Sequence, residues 1–431
     1  MKTAPEHQVQ SYVEDHADRL LEILSDLVRL PSENHPPDGD EGECQAYVAK
    51  FLQDLGWETK SYSPMEAPGI EEHPIYWKGR DYTNRPNVAA RRKGSGSGKS
   101  LILSGHIDTV PTGTRAWKRD PFGAQVEGNR LYGRGSSDMK CGIAANLFVA
   151  EALTKMGIQL GGDLTVESVV DEEFGGVNGT LAGRLMGYVA DAAVISEPSF
   201  LRVCPAQRGG RTVQITFRNP NEGILNGTPV GVSEQLRVFL EAVNAFQAQR
   251  QVTAKVPAYY QHLDNPVPVT IAKIYTADWG THEPPNMPDE CRVEMFWQTM
   301  PGENLEDIDR EFNDWFEKLL QNAPATFVVR PTVTHPIRWL PASAADAGEP
   351  VVQALGDVAE GLTGKRPLVQ GIEGPCDMYV FHDFGIPAVL WGARGGNTHH
   401  LDEYVEIDSV IHSTKVLLAF VQEWCGRGDK E

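Results

Sequence analysis

Long apolar runs are missing from this 431-residue chain. No stretch of roughly 18 apolar residues occurs, so a helical membrane span is not expected. Cysteine is scarce and scattered: Cys44, Cys141, Cys204, Cys291, Cys376 and Cys425 form no C-x-x-C pair. A zinc site built on sulfur is therefore not expected, and the thiols read as buried groups in a reducing compartment. Positive charge is the minority sign, 39 Lys and Arg against 59 Asp and Glu, for a net −20. That field repels phosphate backbones and anionic lipid, so neither nucleic acid nor membrane is an expected partner. The first residues lead into an acidic, helix-patterned segment and not an apolar signal core, which points to the cytoplasm. What is present is 41% apolar and 23% charged residue, the balance of a folded chain of about two or three domains.

The apolar pattern changes period along the chain. From His7 to Leu30, and again from Cys44 to Leu55, apolar residues fall at helical spacing. Leu101–Leu103 is a short apolar run, as a buried strand should be, and ends at Ser104-Gly105-His106. Asp138 opens an Ala-rich helix reaching about Met156. Leu164–Val170, Ala192–Ile195 and Ile386–Leu390 repeat the strand pattern and lead to Glu172-Glu173, to Glu197 and, past a Gly-rich loop, to His399. Strands alternating with helices predict an α/β fold with a mostly parallel sheet covered on both faces. Between them, residues 207–329 read β-α-β-β-α, which predicts an inserted α+β, ferredoxin-like domain. Residues 1–206 and 330–431 then form the larger domain.

Taken singly, each polar residue here has a bland explanation; a lone Asp before a helix is usually a cap. Position changes the odds. His106, Glu173, Glu197 and His399 each follow the carboxyl end of a different predicted strand, and Asp138 enters a helix. In open α/β sheets that edge is where sites are built. Five His and carboxylate groups suit a divalent ion such as Zn²⁺. Five are one too many for a single tetrahedral ion, but two ions sharing Asp138 use them all.

These residues sit in blocks that resemble a known family. Ser104-Gly105-His106-Ile107-Asp108, Gly133–Lys140, Asp171-Glu172-Glu173, Ser196-Glu197-Pro198 and His399–Val405 match, in order, the di-zinc metallopeptidase family of acetylornithine deacetylase, succinyl-diaminopimelate desuccinylase, aminoacylase and glutamate carboxypeptidase. The resemblance implies a zinc-peptidase-like fold whose inserted domain is a lid that forms a homodimer. It implies His106, Asp138 and Glu197 on one ion and His399, Asp138 and Glu173 on the other, with Zn²⁺ first and Co²⁺ or Mn²⁺ as alternatives. Asp108 would orient His106, and Glu172 would be the general base for a water held between the ions. The implied reaction is amide hydrolysis of a small N-acyl substrate. A metallo-carboxypeptidase or dipeptidase is the alternative within the class, and an idle scaffold of the same fold the alternative outside it. Glu197, where aminopeptidase and dipeptidase branches carry Asp, resembles the deacylase and carboxypeptidase branches.

Three features depart from the pattern. The lid His of the family, which would stabilise the oxyanion, is absent from Phe217–Ile224, leaving Asn219, Asn221 and Asn226 as substitutes. Gln298 stands where the family has an Arg that grips a substrate carboxylate, although the Asn286-x-Pro288 element is intact. Gln cannot form that charged bidentate pair. The substrate therefore lacks a free α-carboxylate, as a formylaminopyrimidine does, or another Arg binds it; Arg394 is the candidate. Cys141 stands where Gly is usual and reads as a small buried residue.

Overall fold

The computed structural model describes residues 11–219, 230–276 and 288–426. The chain divides into two compact units. The first comprises Met1–Ala206, Ala344–Ile372 and Cys376–Glu431; the second comprises Gln207–Ser343 with Glu373–Pro375.

A nine-stranded sheet runs through the first unit. At its centre lie four parallel strands in the spatial order Ala388–Leu390, Ala193–Ile195, Leu101–Ser104, Leu164–Ser168. The outer neighbours are antiparallel: Asn87–Arg92 and then Glu58–Tyr62 on one side, Val203–Gln207 on the other. The expected α/β sheet is thus present, with four parallel strands in the middle. The central strands are short apolar runs because both faces are covered. Leu101, Leu103, Val194 and Val389 face one core, with Leu24, Leu147, Leu355 and Leu417 from helices Ala17–Arg29, Lys140–Lys155, Pro350–Thr363 and Ile407–Cys425. Ile102, Ala193, Ile195 and Leu390 face the other, with Met378 and Phe381 of helix Met378–Asp383. Successive side chains leave a strand on opposite faces, so one run fills both layers.

Strand order places the site. The next strand of this sheet in chain order, Leu164–Ser168, pairs on one side of Leu101–Ser104, and the one after it, Ala193–Ile195, pairs on the other side. Such a reversal opens a crevice at the carboxyl ends of the strands. Helix Lys140–Lys155 is buried from Lys140 to Leu153, which explains its all-round apolar and Ala-rich sequence. Gly142 lets its first turn approach the chain before Glu197: a Cβ there would lie 2.0 Å from the Ser196 carbonyl oxygen. The Lys140 ammonium is fully buried and donates to Leu27 O (3.0 Å) and Leu30 O (2.7 Å), closing the carboxyl end of helix Ala17–Arg29.

The second unit is a four-stranded antiparallel sheet in the order Val269–Tyr275, Glu290–Thr299, Gly209–Arg218, Thr332–Thr334. Helices Val232–Thr253 and Leu305–Asn322 cover one face: Phe239, Phe246, Phe312 and Trp315 pack on Val213, Ile215, Val293, Met295 and Trp297. Asn304 caps the second helix by accepting from Asp307 N at 3.0 Å. The unit runs past residue 329 because Thr332–Thr334 pairs with the Gly209–Arg218 strand. Among the described residues no helix is long and apolar enough to cross a membrane. All six cysteines are free.

Candidate active site

Three parallel strands deliver their following loops to one edge. Leu101–Ser104 extends to His106, which bridges to Val169 at the end of the neighbouring strand. Val170 then leads into Asp171-Glu172-Glu173, and Ala193–Ile195 into Glu197. Asp138 precedes helix Lys140–Lys155, whose N-cap position is Met139 with no side-chain cap. The Asp138 carboxylate is therefore not spent on the helix.

It lies between two histidines. Oδ1 is 3.1 Å from His106 Nε2, and Oδ2 is 3.3 Å from His399 Nε2. His106 Nε2 also lies 3.3 Å from Glu197 Oε1, and His399 Nε2 lies 2.8 Å from Glu173 Oε2. The five residues thus form two lobes, His106–Glu197 and His399–Glu173, joined through one oxygen each of Asp138. Ligand atoms of His106, Asp138 and Glu173 fall within 4.8 Å of one another, so a possible metal site exists. The Glu172 carboxylate, 15% exposed, reaches 3.8 Å from His106 Nε2 and takes no hydrogen bond among the described residues. His400 turns away to Arg115, 3.3 Å distant.

The Asp171–Glu173 turn is held from below. Asp171 is fully buried and left-handed, φ +67°, a conformation that persists where the surroundings over-determine it. Its carboxylate accepts from both Arg80 Nε (3.1 Å) and a second Arg80 nitrogen, from Tyr82 Oη (2.7 Å) and from Asn34 Nδ2 (3.2 Å). Asn34 Nδ2 also donates to Asp108 Oδ2 at 2.8 Å. The Glu172 and Glu173 amides donate to that same Oδ2, each at 3.0 Å. The expected carboxylate bond from Asp108 to His106 is long, 3.6 Å; His106 Nδ1 instead meets the Asp108 main-chain oxygen at 3.0 Å. The carboxylate is drawn away by the amides of the Glu172-Glu173 turn.

Electrostatics follow from this crowding. Burial works against charge on His106, but Glu197, Asp108 and Asp138 hold its pKa well above the ordinary value. Burial likewise opposes His399, which Asp138 and Glu173 drive up to about 11. Burial, reinforced by Asp138, pushes Glu173 and Glu197 each up to about 7. Asp138 goes the other way: burial is outweighed by the two histidines, which leave it below the usual carboxylate range. Burial and the carboxylates of Asp377, Glu197 and Glu173 raise Glu172. Among the described residues the basic partners of these carboxylates are the two imidazoles. Imidazole and carboxylate donors around a site short of positive charge fit a borderline divalent cation.

The model of peptidase family M20/M25/M40 matches residues 102–423. The chain belongs to this family. It is similar to the N-formyl-4-amino-5-aminomethyl-2-methylpyrimidine deformylase of Halalkalibacterium halodurans, with 30% identity covering 97% of both chains. It is similar to the succinyl-diaminopimelate desuccinylase of Leptothrix cholodnii, with 26% identity over 85% of this chain and 90% of that one. Human carnosine dipeptidase 1 shares the fold, with a TM-score of 0.77, 16% identity and coverage of 99% of this chain and 100% of that one. The resemblance read from the sequence blocks is borne out, and the M20 chain stands among hydrolases of amide bonds.

The remaining expected residues of this M20 chain fare differently. The Arg394 guanidinium is taken by Glu406 at 3.0 Å and lies 3.8 Å from Asp408, two carboxylates outside the cluster. In the second unit, Gln298 Nε2 donates to Glu373 O at 2.6 Å, while its Oε1 is buried without a partner. Asn286, Asn221 and Asn226 lie outside the described residues. The Cys141 thiol is 2% exposed, donates to Ser137 O at 3.2 Å and is pushed up by burial. Sequence reasoning passed over Asn34, Arg80 and Tyr82, which lie 89 to 137 residues before Asp171 and carry no local pattern. It also read Glu403 only as part of a block.

Proposed function

We propose that this M20 chain hydrolyses the amide of a small N-acyl amine that bears no α-carboxylate, a formamide foremost. The carrying observation is the division of Asp138, one oxygen toward His106 beside Glu197 and the other toward His399 beside Glu173. That division supports two divalent ions, held by His106, Asp138 and Glu197 and by His399, Asp138 and Glu173, with Zn²⁺ the first choice. Such ions supply Lewis acidity and lower the pKa of water.

The chain's own residues do the rest. Glu172, free of hydrogen bonds at its carboxylate among the described residues and raised by burial and its acidic neighbours, accepts a proton from water and passes it to the leaving nitrogen. Asp108 orders the Glu172-Glu173 turn through its two amides and backs His106. Gln298 supports the substrate class. Its neutral amide, standing where the family carries an Arg, cannot form the charged bidentate pair that a substrate carboxylate takes. The similarity to a deformylase of an aminopyrimidine supports the same class. Six free thiols support a reducing, cytoplasmic setting, and the family resemblance supports a homodimer through the inserted unit.

The test is a panel of N-formyl, N-acetyl and N-succinyl amines beside dipeptides, run with the metal-loaded protein. Fastest turnover of a neutral formamide is expected, and Gln298→Arg should shift preference toward carboxylated substrates. Preference for dipeptides would replace this reading with the peptidase one, and no turnover of any substrate with metal bound would favour the scaffold. Light scattering tests the dimer.

A further inference from the structure

One buried carboxylate gathers the loop that carries Asp138. Glu403 is 1% exposed. Its Oε1 accepts from the amides of Ser137 (3.0 Å) and Asp138 (3.1 Å). Its Oε2 accepts from the Gly135 amide (3.1 Å) and from Arg134 Nη1 (2.7 Å). Its main-chain oxygen takes the Gly133 amide at 2.9 Å. Every second or successive amide from 133 to 138 is thus turned toward one residue. Gly135 permits the turn, with φ +77° and a place where a Cβ would sit 2.6 Å from Thr109 Cγ2. Glu403 immediately precedes strand Tyr404–Glu406, which pairs with Arg130–Tyr132 just before the loop. Four residues upstream in its own loop is His399.

We infer that Glu403 is a positioning residue for the metal cluster, which sets Asp138 between the two histidines and ties the His399 loop to it. The inference rests on the two-ion reading above. A carboxylate is needed because all four side-chain contacts are donors. An amide at this position presents an NH₂ group to two of them, leaving buried N–H groups facing each other. Asp138 would then lose the constraint on its own main chain. Because Asp138 serves both lobes, both ions should weaken together, unlike the effect of removing His399 or Glu173, which belong to one lobe. Partners of this kind change metal affinity by about 10- to 100-fold.

The experiment titrates metal-stripped full-length protein with Zn²⁺ against a chromophoric chelator. Wild type should take two ions per chain. Glu403→Gln should bind both about 10- to 100-fold more weakly, and saturating Zn²⁺ should restore kcat with KM unchanged. Glu167→Gln is the control: it breaks the buried pair with Arg184 in the same unit without touching the cluster. It should lower the melting temperature and leave both affinities alone. If circular dichroism shows Glu403→Gln unfolded, Glu403→Asp, which keeps the charge but is one methylene short, should weaken both ions in the same direction. Wild-type affinity in whichever Glu403 variant folds, weakening confined to one ion, or an equal loss of affinity in Glu167→Gln overturns the inference. A wild-type chain that takes no ions overturns the metal reading itself, and the inference with it.

Discussion

Asp171→Asn tests how the base-bearing turn is held. The substitution keeps the shape and removes one charge. Asp171 is fully buried, and Arg80, whose side chain is 4% exposed, has two of its nitrogens on that carboxylate. Arg85, the next cation, lies 3.7 Å away and is committed to Glu41 through bonds of 2.6 and 2.7 Å. Removing the charge strands the Arg80 guanidinium, and breaking a buried pair costs about 3–5 kcal/mol. Asn suits the left-handed backbone and keeps one acceptor for Tyr82, so the lower end, about 3 kcal/mol, applies. That corresponds to roughly a hundredfold in the folding constant. Urea unfolding should show the loss in the transition of the first unit, which holds both residues; two units need not unfold together. The double variant Arg80→Gln/Asp171→Asn should recover about half of it, because no charge is left buried alone. A loss under about 1 kcal/mol, the size of a solvent-exposed pair, would refute the argument that Arg80 depends on Asp171. So would a double variant no more stable than the single one.

Other predictions follow from the same geometry. Glu172→Gln should cut kcat by about 10²- to 10⁴-fold with KM and two bound ions unchanged by metal analysis; loss of the ions would make Glu172 a ligand instead. Chelator treatment should abolish turnover and lower the melting temperature, since an ion that binds only the folded chain stabilises it; an unchanged melt would argue against ions in the cluster. In metal-stripped protein the Asp108 carboxyl is lowered to about 2, burial being outweighed by His106, the Glu173 amide and Asn34. Its folded pKa is depressed, so its stabilisation of about 2 kcal/mol is present above pH 4 and lost as pH falls toward 2. Acid unfolding of Asp108→Asn should therefore differ from wild type at pH 5 and converge with it near pH 2; a constant gap would sink the assignment. Native protein should show no fast-reacting thiol toward a disulfide reagent and six after denaturation, because five cysteines are buried and burial raises Cys376 as well.

The sheet and the five cluster residues were legible because both are written locally. Leu101–Leu103 and Ala192–Ile195 are apolar runs of strand length, and His106, Glu173 and Glu197 stand just past them. Parallel strands point their carboxyl ends to one edge, so residues far apart in the chain converge without any contact being known. Long-range charge pairing was not legible. Asn34, Arg80 and Tyr82 meet Asp171, and Glu403 meets the Asp138 amide, across separations of 89 to 265 residues. No periodicity encodes such a partner; only the folded backbone brings donor and acceptor within hydrogen-bond reach. Nor does any pattern around Arg394, a candidate for its place in the Gly-rich loop just before His399, announce Glu406 and Asp408 beside its guanidinium. By itself, then, the sequence determined which chemistry gathers at the sheet edge and the family to which the chain belongs. The tertiary structure decided which carboxylates are aimed at the histidines and which are turned to backbone amides. A side chain's identity is local, but its orientation is set by whichever buried donors surround it.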